Sequence, residues 1–208
     1  MKILFQGDSV TDANRDRRNY HDVGQGYPKF ASEIIKAEFP ETDFEFINFG
    51  IGGTRTHQLF ERIYVDGIAF QPDVFSILVG INDVWHRYSD QKILMTDEQI
   101  ELSYRRILER VKSETNAKII VLAPFLLDCP EKEHLRADVE KLVVLVKKLA
   151  DEFADAYIPL DEKFAEALKV QPEPQYYSAD GVHPNDNGRE FIGKLYAEAA
   201  IPLIKQLI

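Results

Sequence analysis

Met1-Lys2-Ile3-Leu4-Phe5-Gln6-Gly7-Asp8-Ser9-Val10 sets a short apolar run against a polar turn led by glycine, and this junction decides how the rest of the chain reads. Ile3 to Phe5 is too short for a helix and is closed by Gly7, so it predicts a strand. Beyond it, short apolar runs recur at Phe44 to Phe49, Val74 to Val79, Ile119 to Ala123 and, more weakly, Ala156 to Leu160. Helical patterns fill the gaps: Pro28 to Phe39, Thr56 to Ile68, Thr96 to Thr115, Glu133 to Phe153, Lys163 to Val170 and Pro184 to Leu207. Strand and helix in alternation predict parallel βαβ units. The first, third and fourth strands are almost wholly apolar, as strands covered by helices on both faces are, while Glu45 and Asn48 mark the second as an edge. The expected architecture is an α/β/α three-layer sandwich around a five-stranded parallel sheet.

The chain has 208 residues with 45% hydrophobic, and shows no internal repeat, low-complexity tract or linker, so residues 1–208 read as one domain. Lys and Arg number 25 against 35 Asp and Glu, a net charge of −10, and basic residues do not run beyond pairs such as Arg17-Arg18. That argues against a nucleic-acid partner. No apolar run approaches the roughly 20 residues of a membrane span, and Ile3 to Phe5 is shorter than a secretory core. With one cysteine, Cys129, no internal disulfide is required. A cytoplasmic protein without membrane attachment is expected.

In open parallel sheets ligands bind beyond the carboxyl ends of the strands, so the segments that follow strands are read first. Gly7-Asp8-Ser9 follows strand one, where the glycine permits a tight turn that lifts the serine above the sheet. Alone, the tripeptide reads more readily as a turn or helix cap. A nucleophilic serine needs a base, and the base needs an orienting acid. Asp180-Gly181-Val182-His183 offers both, and so does Asp83-Val84-Trp85-His86; spacing does not separate the pairs. Acyl transfer also needs donors for a developing oxyanion. Asn48-Phe49-Gly50-Ile51-Gly52-Gly53-Thr54 ends strand two in a glycine-rich turn, and Gly80-Ile81-Asn82-Asp83 ends strand three with an amide. The loops 10–27 and 170–183 are longer than connections require and are expected to be functional.

Taken in chain order, Gly-Asp-Ser, a glycine, Gly-x-Asn-Asp and Asp-x-x-His resemble the four blocks of the SGNH hydrolases, the GDSL esterase/lipase family, with Val10 where leucine is commonest. The resemblance spans Gly7 to His183. It implies a flavodoxin-like sandwich in which Ser9 is the nucleophile, His183 the base and Asp180 its orienting partner. Ser9, Gly53 and Asn82 would form the oxyanion hole. Gly53 is chosen over Gly50 and Gly52 only by the family pattern, and His86 is left outside the triad. Gly24-Gln25-Gly26-Tyr27, Gly80 to Trp85 and Ala123-Pro124-Phe125 are similar to bacterial acetylxylan esterases, which implies a small acylated substrate, an acetylated sugar, and a homo-oligomer. Asp8, Trp85, Tyr176 and Tyr177 are the candidate substrate contacts, with Trp85 offering an apolar face to a sugar ring. Neither a metal nor another cofactor is expected. The alternatives are a thioesterase or lysophospholipase, and a carbohydrate-binding α/β module without chemistry.

Overall fold

The computed structural model describes residues 1–89 and 94–208. Five parallel strands form one sheet in the order β2-β1-β3-β4-β5: β1 (Lys2–Gly7), β2 (Glu45–Asn48), β3 (Val74–Leu78), β4 (Lys118–Leu122) and β5 (Ala156–Ile158). Strand two is an edge, as its polar residues predicted. The pleat turns alternate residues of β1 to opposite faces, so Ile3 and Phe5 join one apolar cluster and Leu4 the other. On the Leu4 side the sheet is covered by α3 (Thr56–Arg62), α5 (Asp97–Glu114) and α6 (Arg136–Phe153). On the Ile3 side it is covered by α2 (Tyr27–Glu38), α7 (Leu160–Ala167) and α8 (Asp186–Ile204). The three layers are those expected.

Several boundaries differ from the sequence reading. Two short helices, α1 (Ser9–Asp12) and α4 (Ile81–Trp85), follow β1 and β3 directly, and both are too short to leave a periodic signal. The helix expected over Thr56 to Ile68 ends at Arg62, because the chain folds back so closely at Gly67 that a Cβ there would lie 2.8 Å from the Ile63 carbonyl. Helix α7 begins at Leu160, three residues early, because Leu160 and Phe164 both plug into the core. No helix among the described residues is long and apolar enough to cross a membrane.

The sheet order places β1 between β2 and β3, so the chain leaves the carboxyl end of β1 toward one side and later returns on the other. This is the reversal point at which such sheets open a crevice. The segments after β1, β2 and β3 all meet there.

Candidate active site

At the end of β1, a Cβ on Gly7 would lie 2.4 Å from the Leu78 carbonyl and 2.4 Å from Thr11 Oγ1, so only glycine fits beneath the turn. Asp8 caps α1, its Oδ1 accepting the Val10 N–H at 3.1 Å, which leaves Ser9 as the first helical residue. Ser9 Oγ stands 2.9 Å from His183 Nε2. His183 Nδ1 in turn lies 2.8 Å from Asp180 Oδ2. Of the two Asp-x-x-His pairs the sequence offers, this one reaches the serine. Asp83 instead accepts the N–H of Thr56 at 2.9 Å and its hydroxyl at 2.8 Å, and His86 Nδ1 is buried with no partner among the described residues.

Asp180 is held by donors on both carboxylate oxygens. Its Oδ1 accepts the N–H groups of His183 at 2.7 Å and Val182 at 3.0 Å, and its Oδ2 accepts Lys132 Nζ at 3.0 Å besides the imidazole. Burial alone would raise its pKa, but these bonds, led by that from His183, hold the carboxyl far below the usual carboxylate range. The same hydrogen bond raises His183 above its ordinary 6.5 against the opposing effect of burial. Lys132 also sits 4.7 Å above the Trp85 ring, so it ties the acid to the tryptophan wall.

The glycine-rich turn after β2 distributes its N–H groups unequally. Gly50 donates to Asn48 Oδ1 at 2.8 Å and Gly52 donates to Asp12 Oδ2 at 2.9 Å. The N–H groups of Gly53 and Ser9 have no partner among the described residues. Gly53 has φ +80°, a left-handed backbone that glycine adopts without strain. The Asn82 side chain donates to the Thr54 carbonyl at 3.2 Å and makes a longer contact, 3.4 Å, with Asp8 Oδ2. Asp83 therefore clamps the start of α3 while its neighbour Asn82 clamps Thr54, which fixes the Gly53 turn against α4.

Ser9, Gly53, Asn82 and His183 share one pocket of about 260 Å3 whose far wall is Trp85, His86 and Ser89. Trp85 is thus at the site, with its ring 6.0 Å from the His183 ring. Three of the other expected contacts fall elsewhere. Asp8 is 1% exposed and lies under the site, where burial pushes its carboxyl up to about 7. Tyr177 is buried against Phe164 and Phe191, and its ring fills the core under the loop. Tyr176 is exposed and packs edge-on to Tyr177, and it does not line the pocket beside Ser9. A groove of about 770 Å3 lies between α6 and α7 and holds none of these residues.

Sequence reasoning did not single out Lys132, Thr56 or Asp12. Lys132 lies in the unremarkable run Glu131-Lys132-Glu133, and only the length of the 10–27 loop pointed toward Asp12.

Residues 5–191 match the model of the GDSL-like lipase/acylhydrolase family. The acetylxylan esterase of Geobacillus stearothermophilus is 30% identical over 203 residues, covering 94% of this chain and 91% of that one. A crystal structure of an acetylxylan esterase from that organism superposes with a TM-score of 0.85 at 29% identity, covering 95% of this chain and 92% of the other. Solved variants of that esterase described as catalytic mutants carry alanine in place of a serine, an aspartate and a histidine. The thioesterase 1/protease 1/lysophospholipase L1 of Escherichia coli K12 is 28% identical over 158 residues, covering 76% of this chain and 68% of that protein.

Proposed function

The chain belongs to the GDSL-like lipase/acylhydrolase family, and from that premise we propose that it is a serine esterase that removes short acyl groups, acetyl above all, from carbohydrates such as xylo-oligosaccharides. The observation that carries this reading is the unbroken line from Ser9 Oγ through His183 to Asp180, with spacings of 2.9 and 2.8 Å. His183 takes the Ser9 proton as the hydroxyl oxygen attacks the ester carbonyl, and Asp180 holds the imidazole in the tautomer that accepts at Nε2. The tetrahedral oxyanion takes hydrogen bonds from the Ser9 and Gly53 N–H groups and from the Asn82 amide, whose contact with Asp8 is long enough to be exchanged for one to substrate. His183 then passes its proton to the departing alcohol. The acyl-enzyme left on Ser9 is hydrolysed by water through the same groups. The bound acyl group lies in the space of about 260 Å3 lined by Trp85, His86 and Ser89.

A thioesterase or lysophospholipase is the second reading, favoured by the relative from Escherichia coli. A carbohydrate-binding module is the third, and it has no use for an activated serine. A fluorophosphonate probe, which reacts with such a serine, is expected to label Ser9, and p-nitrophenyl acetate to be hydrolysed. Turnover across p-nitrophenyl esters is expected to fall as the acyl chain lengthens, by about 1 to 3 kcal/mol for each methylene the pocket rejects. Absence of labelling overturns the esterase in favour of a binding module. A preference for long chains or thioesters favours the second reading.

A further inference from the structure

Ser9 and His183 also form one wall of a second cleft, about 330 Å3, on the opposite side from Trp85. Its other walls include Asp12, Asn14, Arg17, Gly52, Pro184 and Arg189. That volume is at the lower end of the range for pockets that hold a small organic ligand. Its charge is unusual for this molecule: two guanidinium groups and one carboxylate line it, in a chain of net charge −10.

The carboxylate is already committed. Asp12 Oδ2 accepts the Gly52 N–H at 2.9 Å and also the Arg17 Nη2, and the side chain is only 9% exposed. Arg17 spends one of the roughly five N–H donors of a guanidinium on that contact and is half exposed, so the rest of its fork is open to the cleft. Arg189 donates from Nη1 to Asp186 Oδ1 at 2.9 Å, but Asp186 is 89% exposed and water screens that pairing. Arg15 is turned away, its Nε donating to the Gly50 carbonyl. A Cβ placed on Gly52 would lie 3.6 Å from Arg17 Nη2 and 3.7 Å from Ser9 Cβ, so barely more than the width of a methyl group separates the guanidinium from the serine.

We infer that this cleft receives the alcohol portion of the ester and selects an alcohol that carries a carboxylate, as an acetylated uronic acid does, with Arg17 and Arg189 binding that carboxylate. The inference rests on the esterase reading above. The departing alcohol must lie beside His183 Nε2 to take its proton, and His183 borders this cleft. The opposite pocket is occupied by the oxyanion donors and the acyl group. A guanidinium fork matches a planar carboxylate with two parallel hydrogen bonds. One carboxylate also neutralises the single positive charge left over in the lining, which a phosphate dianion would overshoot.

The test separates binding from turnover. The Ser9→Ala protein is titrated calorimetrically with methyl glucuronide and with methyl glucuronamide, which differ only in carboxylate against amide. The carboxylate sugar is expected to bind about tenfold more tightly, the size of one good charge-assisted hydrogen bond. The ratio is expected to fall to near one when Arg17→Gln or Arg189→Gln is added, and Arg17→Lys, which keeps the charge but not the fork, to restore only part of it. Equal binding of the two sugars, binding of neither, or a preference that survives both glutamine substitutions would overturn the inference. If Ser9 is labelled and p-nitrophenyl acetate is hydrolysed while the carboxylate preference is absent, this inference fails and the esterase stands. If the preference is present but Ser9 does not label, the esterase reading fails and takes the alcohol role of the cleft with it, leaving only a carboxylate-binding site.

Discussion

The two clefts beside Ser9 differ in kind. Among the described residues, the Trp85 side is walled by Gly53, Asn82, Trp85, His86 and Ser89, and none of these carries a carboxylate, ammonium or guanidinium group. The Arg17 side carries two arginines and an aspartate. A developing oxyanion is best stabilised by fixed dipoles in surroundings that hold little mobile charge or water, where each donor counts for more. A leaving alcohol must be recognised and released into solvent, which suits charged groups that remain partly hydrated. The serine sits on the boundary, so under the proposed esterase reading one hydroxyl is served by an environment that stabilises the transition state and by another that chooses the substrate. Substitutions that disturb the oxyanion donors of the first side should cost turnover; those on the second should change which alcohols are accepted.

The largest effect expected concerns which histidine belongs to the serine. His183 borders both clefts and touches Ser9 Oγ, whereas His86 forms only the far wall of the acyl pocket. His183→Ala is expected to lower kcat for p-nitrophenyl acetate by as much as ~10^6-fold, the scale seen when the base of a serine triad is removed. His86→Ala should keep kcat within about tenfold and alter the preferred acyl length, since a wall that moves back changes pocket volume by only a few methylenes. Steady-state kinetics of the two variants on an acyl series checks both. A collapse of kcat in His86→Ala with survival in His183→Ala would dissolve the distinction between the clefts.

Next in size is the acid behind the histidine. Asp180→Asn is expected to lower kcat by ~10^4-fold, less than loss of the histidine because the imidazole remains beside the serine. The pH profile carries more information than the rate. The base must be neutral, so kcat/KM rises with pH through the His183 pKa, and the hydrogen bond that His183 donates to Asp180 raises that pKa above 6.5. The acid limb of the wild-type profile therefore lies above pH 6.5. In Asp180→Asn the largest contribution to the upward shift is gone and the limb moves to lower pH. A limb that stays in place would mean that Asp180 does not act on the titrating base.

How far these features were legible in the sequence depends on distance along the chain. The apolar runs around β1, β3 and β4 reported their burial on both faces without help from the rest of the fold. Asp180 and His183 were legible as a candidate acid and base, because they are three residues apart and share one loop, but Asp83 and His86 have the same spacing and only the family resemblance chose between the pairs. The groups that fix them were not. Lys132 reaches Asp180 across 48 residues, Asp12 reaches Gly52 across 40, and Asp83 reaches Thr56 across 27, so each pairing exists only after the sheet has brought its loops together. Tyr177 shows the opposite failure. An aromatic residue six positions before His183 looked like a sugar platform, yet the apolar surface of Phe164 and Phe191 draws its ring into the core. Which glycine faces the oxyanion was likewise undecided among Gly50, Gly52 and Gly53. It depends on which N–H groups are already taken by Asn48 and Asp12, and those acceptors belong to the tertiary fold.

The smallest effect expected comes from those neighbouring glycines, and it separates the clefts most finely. Gly53 has φ +80° and open space where a Cβ would project, so Gly53→Ala meets no clash but strains the backbone that presents its N–H. Placing a side chain in a left-handed conformation costs about 1 kcal/mol. If the turn relaxes to relieve that strain, the donor swings away and kcat falls while KM changes little, as loss of an interaction made only in the transition state requires. Gly52 has an ordinary φ, and an added methyl would meet Arg17, Asp12 and Ser9 at 3.6 to 3.7 Å, ordinary van der Waals contact. Gly52→Ala should therefore fold normally and keep its hydrogen bond to Asp12, but the methyl narrows the charged cleft beside Arg17. Its expected signature is a rise in KM of a few fold for an acetylated uronic acid, with p-nitrophenyl acetate little affected because its flat ring makes no use of the guanidinium. Measuring kcat and KM for both alanine variants on both esters checks the pair. If Gly52→Ala lowers kcat on both esters while Gly53→Ala changes only KM, the oxyanion donor and the alcohol subsite have been assigned to the wrong sides of Ser9.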